Sequence, residues 1–477
     1  MRVATGAAVG GGSLIYANIS VEAPPSVFQI GWPAEITYAE LKPYYDSVAR
    51  YMNVQPLPDK QLTDRAKLVA IGAKAIGAQD RFRKLDLAVS FDPDWNYDLP
   101  DAHNSNRSKP FVNAHGAAQG TCVHLGYCDL GCPVNARNTL DLNYLYSAET
   151  KYHAEVRPLH LVDNIEPLKG GYSVYSTDLA TAGSRVDTAR IVIVAAGSMG
   201  STELLLRCRD VHGTLPQVSP FLGHNWSSNG DFLTPALDTR ELCSPTKGPT
   251  ITSAIDFSDG SIQDAEGRPL YFWIQDGGFP DLVIPYLVQR ADAILGRLGA
   301  KDLVDQINLA MRNENSLKHV MPWFAQGRDA ANGRCSLRRR WFGLGGPRQL
   351  YLDWDIKASE RTILAVIGMH LKLSKATGGC PLIEPSWRLG ETGWLSRFSW
   401  ALRRFGRHLI TPHPLGGCNM GDRPERGVVN HAGEVYGYRN LYVADAAIIP
   451  EAVGVNPTRT IGALAERVAR IICSEGR

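Results

Sequence analysis

Residues 441–467, LYVADAAIIPEAVGVNPTRTIGALAER, run from an apolar strand through a loop containing Pro450, Gly454 and Pro457 into an amphipathic helix that continues to about residue 472. A strand, a loop and a helix in this order form the repeating unit of an α/β layer, and proline is tolerated in the first turn of a helix. The same grammar occurs earlier in the chain. TARIVIVAAG (188–197) reads as a buried strand, and Ser198-Met199-Gly200-Ser201-Thr202 leads into the helix ELLLRC (203–208). Two such units, far apart in sequence, give the chain α/β character at both places.

Between them the pattern changes. From about 240 to 390, short apolar segments such as PLYFWIQ (269–275) and QLYLDWDI (349–356) alternate with helical stretches at 281–298 and 359–376. This predicts an α+β region distinct from the first. Before the first unit, Leu41, Tyr45, Val48 and Met52 recur at helical spacing over 39–52, and 65–78 read similarly. Residues 85–135 are irregular. EVRPLHLV (155–162) and YSVYSTDL (172–179), separated by Gly170-Gly171, predict a hairpin or meander.

With 477 residues the chain is long enough for two or three domains. Fifty basic against 48 acidic residues leave a formal charge of +2, which argues against nucleic acid as a partner. Nine cysteines spread over this length do not form a secreted disulfide framework. The opening MRVATGAAVGGGSLIYA has three consecutive glycines, a poor core for a signal peptide, so the expectation is a cytoplasmic protein.

Gly10-Gly11-Gly12-Ser13 lets backbone amides approach a flat or phosphorylated ligand, although a tight turn needs the same residues. His413 precedes Pro414-Leu415-Gly416-Gly417-Cys418, and histidine can accept an alcohol proton near neutrality. Asn456, at the start of the last helix, can orient a hydroxyl. Taken singly, His413 reads equally as a core histidine and Asn456 as a helix cap. Cys122, Cys128 and Cys132, with His124, lack the paired spacing of a zinc site and are read as buried thiols, with no metal expected. WLSRFSWALRRFGRHL (394–409) sets an apolar stripe among arginines, as either a surface helix packed on its own domain or a contact with an anionic membrane.

In order along the chain, GAAVGGGSLIYAN (6–18), LKPYYDSVARYM (41–52), GYCDLGCPVNARNTLDLNYL (126–145), AAGSMGSTELLL (195–206), LGHNWSSNGDF (222–232), HPLGGCNMGD (413–422) and the 441–467 block resemble the glucose-methanol-choline (GMC) flavin-dependent oxidoreductases, cholesterol-oxidase-type branch. The resemblance implies FAD as cofactor and a small-molecule alcohol, a sterol, as substrate. It implies a GMC-type FAD-binding domain over 1–240 and 396–477, with a mixed-sheet substrate-binding domain inserted at 241–395. Gly11, Gly12 and Ser13 are then expected to line the flavin, with Tyr16, Ala17 and Ile19 in the same loop. Val156 is expected near the adenine, Gly197 near the dinucleotide, Asp445 and Ala446 near the ribityl and pyrophosphate, and Thr458 beside the flavin. His413 and Asn456 become the active-site pair. The reaction implied is oxidation of a 3β-hydroxysteroid with oxygen as acceptor; a dehydrogenase using a quinone or cytochrome and a non-catalytic sterol- or membrane-binding remnant are the rivals.

Three departures qualify the resemblance. Family members open with a strand, a G-x-G-x-x-G turn and a helix that seat the FAD pyrophosphate, and no G-x-G-x-x-G occurs in these 477 residues. The FAD-binding domain is thus expected to be truncated at its N-terminus, with the unit encoded upstream of Met1 or, less expectedly, supplied by a second polypeptide. Gln275, within FWIQDGGFP (272–280), stands where the sterol oxidases carry the glutamate that moves a steroid ring proton. Tyr16 and Thr458 replace the family's flavin-contacting asparagine and an aromatic residue. The first departure predicts that the 477-residue chain, purified alone, carries substoichiometric flavin; a visible absorbance spectrum showing one flavin per chain overturns that expectation.

Overall fold

The computed structural model describes residues 2–295, 301–339, 348–383, 387 and 409–474. The two strand-loop-helix units meet. Val192–Val194 pairs in parallel with Leu441–Val443, Val192 opposite Leu441 and Val194 opposite Val443. Val194, Leu441, Tyr442 and Val443 are buried, which explains why both strands read as unbroken apolar runs. From these strands the chain enters the helices Gly197–Arg207 and, after a turn at Asp445 and a longer loop, Thr458–Ser474. Beside them lies a three-stranded antiparallel meander, His160–Leu168, Gly171–Asp178 and Ser184–Ala189.

Two strand boundaries differ from the sequence reading. The first strand starts at His160 rather than 155, because Pro158 offers no N–H and Leu159 sits at φ 58°. The run 188–197 is not one strand. Ala189 closes the meander and Val192 begins the parallel pair, so the segment serves two sheets.

The second layer is a six-stranded antiparallel sheet in the order Cys380–Pro381, Phe232–Leu237, Met321–Gly327, Pro269–Asp276, Ser253–Gln263 and Phe82–Lys84. Alternate residues of a strand face opposite sides. One face carries Phe232, Ala236, Ile255, Phe257, Phe272, Ile274, Met321, Trp323 and Ala325, which share a core with Ile363, Val366, Ile367 and Leu373 of the helix Glu360–Ala376 and with Leu68 and Val69 of Asp64–Ala75. The opposite face carries Ala254, Trp273, Gln275, Phe324 and Leu233, and Ala254, Trp273 and Phe324 join the core of the α/β layer. The candidate site lies on this second face.

The strand Pro269–Asp276 is anchored at its end. Asp276 accepts the backbone N–H groups of Thr252 (2.9 Å) and Ser253 (2.6 Å) and both their hydroxyls, and Arg65 Nε lies 3.5 Å from its carboxylate. Arg65 also donates to the carbonyls of Ser244, Lys247 and Pro249, which ties the Asp64–Ala75 helix to the sheet. The helix Tyr38–Tyr51, capped by Thr37, lies along the last helix, with Tyr45 and Thr460 hydroxyls 2.9 Å apart and Arg459 donating to the Tyr45 carbonyl. No described helix is long and apolar enough to cross a membrane. Of the basic stretch 394–409, all but Leu409 lies outside the described residues.

Phe272 is fully buried between the sheet and its helices, whereas Leu168 at the end of the meander is 40% exposed. Phe272→Ala is therefore expected to lower the unfolding free energy by about 3–5 kcal/mol. Leu168→Ala should change it by less than about 0.5 kcal/mol in the same urea titration. Equal effects would contradict the placement of Phe272 in the buried core of the sheet.

Candidate active site

His413 follows a short parallel pairing of Ile410–Thr411 with Arg2–Val3. Its backbone N–H donates to the Thr411 hydroxyl at 2.9 Å, and its ring Nδ1 lies 2.8 Å and 3.0 Å from the two carboxylate oxygens of Asp231. Thr411 Oγ1 is also in hydrogen-bond contact with Asp231 Oδ2 and lies 2.9 Å from the Ser228 carbonyl. With Nδ1 committed as donor, the tautomer is set and Nε2, across the ring, is the basic nitrogen. The His413 side chain is 17% exposed and that of Asp231 not at all. Burial pushes the Asp231 carboxyl above the usual carboxylate range, while the imidazole of His413 and the Thr411 hydroxyl pull it back.

Gln275 donates from Nε2 to Asn456 Oδ1 at 2.7 Å, and its own Oε1 has no partner although buried. Asn456 therefore presents its Nδ2 donors. The loop carrying it is clamped by Asn229, whose side chain accepts from the Gly454 N–H (2.8 Å) and donates to the Val455 carbonyl (2.8 Å). Phe324 connects the two halves of the site: it stands opposite Gln275 in the sheet, and its ring centroid lies 6.3 Å from that of His413. On its other side Leu233 pairs with it and is 56% exposed, an apolar surface two residues from Asp231. His413, Gln275 and Asn456, predicted from three distant segments, are thus linked by a continuous chain of contacts.

The glycine loop forms a 3-10 turn over Gly11–Leu14. A Cβ built on Gly11 or Gly12 meets nothing within 4 Å, and the same holds for Gly197, which sits at φ 77° at the start of its helix. Ser13 is buried, donates to the Gly10 carbonyl and accepts the Leu140 N–H; Arg137 reaches the carbonyls of Ser13 and Leu14. Tyr16 donates to the Asn138 carbonyl at 2.8 Å, and burial raises its hydroxyl pKa. Ala17 is half-buried, while the Ile19 side chain is packed in the core and bridges to Leu87. Asp445 is saturated: Oδ1 accepts the Ala447 N–H, and Oδ2 the Gly197 N–H (2.9 Å) and the Ser201 hydroxyl. Ala446 accepts from the Gly416 N–H, Thr458 opens the last helix half-buried, and Val156 lies ahead of the meander.

The thiols of Cys122, Cys128 and Cys132 are free and line one small cavity; burial pushes Cys128 up to about 11. His124 has both ring nitrogens engaged, by Tyr97 (2.8 Å) and Gln61 (3.2 Å), and stacks on Trp95. Among the described residues no three His, Cys, Asp or Glu side chains are arranged to hold a metal ion.

Residues 350–465 match the family description GMC oxidoreductase. The cholesterol oxidase of Acinetobacter baumannii is 28% identical over 99% of this chain and 82% of its own length, and that of Mycobacterium tuberculosis is 29% identical over 100% and 80%. The chain thus carries the GMC oxidoreductase pattern over residues 350–465 and is similar to cholesterol oxidases along nearly its whole length. The fold agrees: pyridoxine 4-oxidase superposes with a TM-score of 0.58 at 15% identity, covering 97% of this chain and 83% of that one. The gluconate 2-dehydrogenase flavoprotein of Pantoea cypripedii is 23% identical over 87% of this chain and 63% of its own length.

FAD is the cofactor of GMC oxidoreductases. The described residues fit part of it, the G-x-G-x-x-G turn for its pyrophosphate being absent from the sequence. Gly11, Gly12 and Gly197 leave open space where side chains would stand, and Asn18, fully buried at φ 66°, has neither side-chain atom partnered. A buried amide without partners costs roughly 1–3 kcal/mol, which a polar ligand edge offsets. Asn18 and Asp231 are the residues that sequence reasoning missed. Asp231 lies inside the quoted 222–232 segment, a polar run just before a strand, but its partner stands 182 residues away.

Asn229 clamps the Asn456 loop from a left-handed conformation, φ 57°. Asn229→Ala is expected to lower stability by about 2–4 kcal/mol, through two lost hydrogen bonds and the left-handed penalty of an alanine. Asn229→Gly should recover roughly 1–2 kcal/mol of that, the backbone share. Urea titration of the pair measures both, and a glycine variant no better than the alanine one refutes the strain component.

Proposed function

We propose that this protein, with FAD bound, oxidises a secondary alcohol, a 3β-hydroxysteroid such as cholesterol, with oxygen as electron acceptor. The observation that carries the reading is the His413 ring, held through Nδ1 by Asp231 and standing beside the Phe324 and Gln275–Asn456 row. FAD supplies the acceptor for the hydride that leaves the carbinol carbon. His413 Nε2 accepts the hydroxyl proton, and Asn456 Nδ2 donates to the oxygen as it becomes a carbonyl. Leu233 and Phe324 supply an apolar surface of the kind a sterol ring system requires.

Gln275 bears no titratable proton, so the carbon proton whose removal precedes double-bond migration has no base at this position. Its neutral partner Asn456 does not replace one. The likeness to the gluconate 2-dehydrogenase flavoprotein favours a second reading, an alcohol dehydrogenase passing electrons to a quinone or cytochrome. Hydrogen peroxide formation separates the two.

With cholesterol and the FAD-reconstituted chain, peroxide and the unconjugated ketone are expected to rise together while the conjugated enone lags. Rapid enone formation refutes the assignment to Gln275, and turnover only with an artificial acceptor favours the dehydrogenase. His413→Gln should lower kcat by about 10²–10⁴-fold. Wild-type turnover in that variant sinks the assignment of His413.

A further inference from the structure

We propose that Asp231 is the positioning residue of His413: its carboxylate holds Nδ1–H so that Nε2 faces the carbinol, and it is the counter-charge for the imidazolium formed when the hydroxyl proton arrives. This rests on the reading of His413 as the base and assigns a function to a residue that does not itself touch substrate.

The geometry is that of a committed pair. Both carboxylate oxygens of Asp231 lie within 3.0 Å of Nδ1, and the carboxylate is fully buried. Among the described residues no Lys or Arg forms an ion pair with it, so its cationic partner is the His413 ring once protonated. The nearby carboxylate of Asp329 is occupied by the Ser227 and Ser228 hydroxyls and the N–H groups of Ser228, Gly230 and Ala331, and it acts on Asp231 as a like charge.

Thr411 completes the proton count. Its single hydroxyl proton faces two acceptors, Asp231 Oδ2 and the Ser228 carbonyl, while its oxygen receives the His413 N–H. With Asp231 ionised, the hydroxyl donates to the carboxylate. The same hydrogen bond to His413 N fixes the backbone from which the ring projects.

The O–H bond of the alcohol breaks, its proton forms an N–H bond at His413 Nε2, and its electron pair stays on oxygen to build the carbonyl as hydride departs. The product is an imidazolium on a buried carboxylate. Gln275 and Asn456, the neutral half of the site, take no part in holding that proton.

Two variants separate geometry from charge. Asp231→Asn keeps an acceptor for Nδ1–H and removes the charge; Asp231→Ala removes both. In ¹⁵N-histidine-labelled protein, with the His413 signal assigned by its loss in His413→Gln, the neutral ring is expected as the Nδ1–H tautomer in the wild type and in Asp231→Asn. It should lose that preference in Asp231→Ala. In the FAD-reconstituted enzyme the acid limb of kcat against pH should move down by about 1–3 units in Asp231→Asn. Asp231→Ala should lower kcat by about 10²-fold with a smaller change in KM.

A wild-type ring in the Nε2–H tautomer, or an acid limb unmoved in Asp231→Asn, overturns the proposal. If Asp231→Ala does not fold, the wild-type tautomer and the Asp231→Asn profile still decide it. Wild-type turnover in His413→Gln, with the Nδ1–H tautomer seen in the unsubstituted protein, removes the base and with it the counter-charge, which overturns the proposal.

Discussion

The register of three strands governs everything built on the sheet. Gln275, Phe324 and Leu233 stand in one row because Gln275 pairs with Phe324 and Phe324 with Leu233. One residue along, Ile274, Ala325 and Phe232 form the next row and face the opposite, mainly apolar core. A slip by a single position would exchange the two faces, burying a glutamine amide among leucines and turning Phe232 toward His413. The hydrophobic face therefore holds the polar one in place, and Asp276, saturated by Thr252 and Ser253, locks the end of the strand next to Gln275.

The site that results is divided by charge type. Gln275 and Asn456 form a neutral pair that orients a donor without exchanging protons, and His413 with Asp231 forms the pair that can. Burial sharpens the division, because a buried carboxylate beside an imidazole responds strongly to a single proton, whereas an amide pair does not respond at all.

Much of this was legible in the chain. The strand-loop-helix units were readable because their signals are local: an apolar run, a Gly or Pro, then a helical period. The 441–467 block needed nothing beyond itself. The breaks at Pro158 and Ala189 were missed because one residue's backbone geometry outweighed a plausible β pattern on either side. The pairings inside the site were of a different kind. Gln275 meets Asn456 across 181 positions and His413 meets Asp231 across 182. No periodicity reports such a contact, so Gln275 was found through resemblance and Asp231 was not found at all. Ile19 shows the converse: a loop position read toward the cofactor has its side chain in the core, leaving only its backbone for any ligand.

Ile193, 48% exposed, lies on a strand that pairs on one side only among the described residues. Its other side presents a row of backbone donors and acceptors flanked by an apolar side chain, the arrangement that recruits a further strand. At a net charge of +2 the chain has little long-range repulsion to keep copies apart. This three-residue edge is thus one place where a strand of another chain could add by backbone pairing alone, a property of the parallel pair independent of the chemistry of the candidate site.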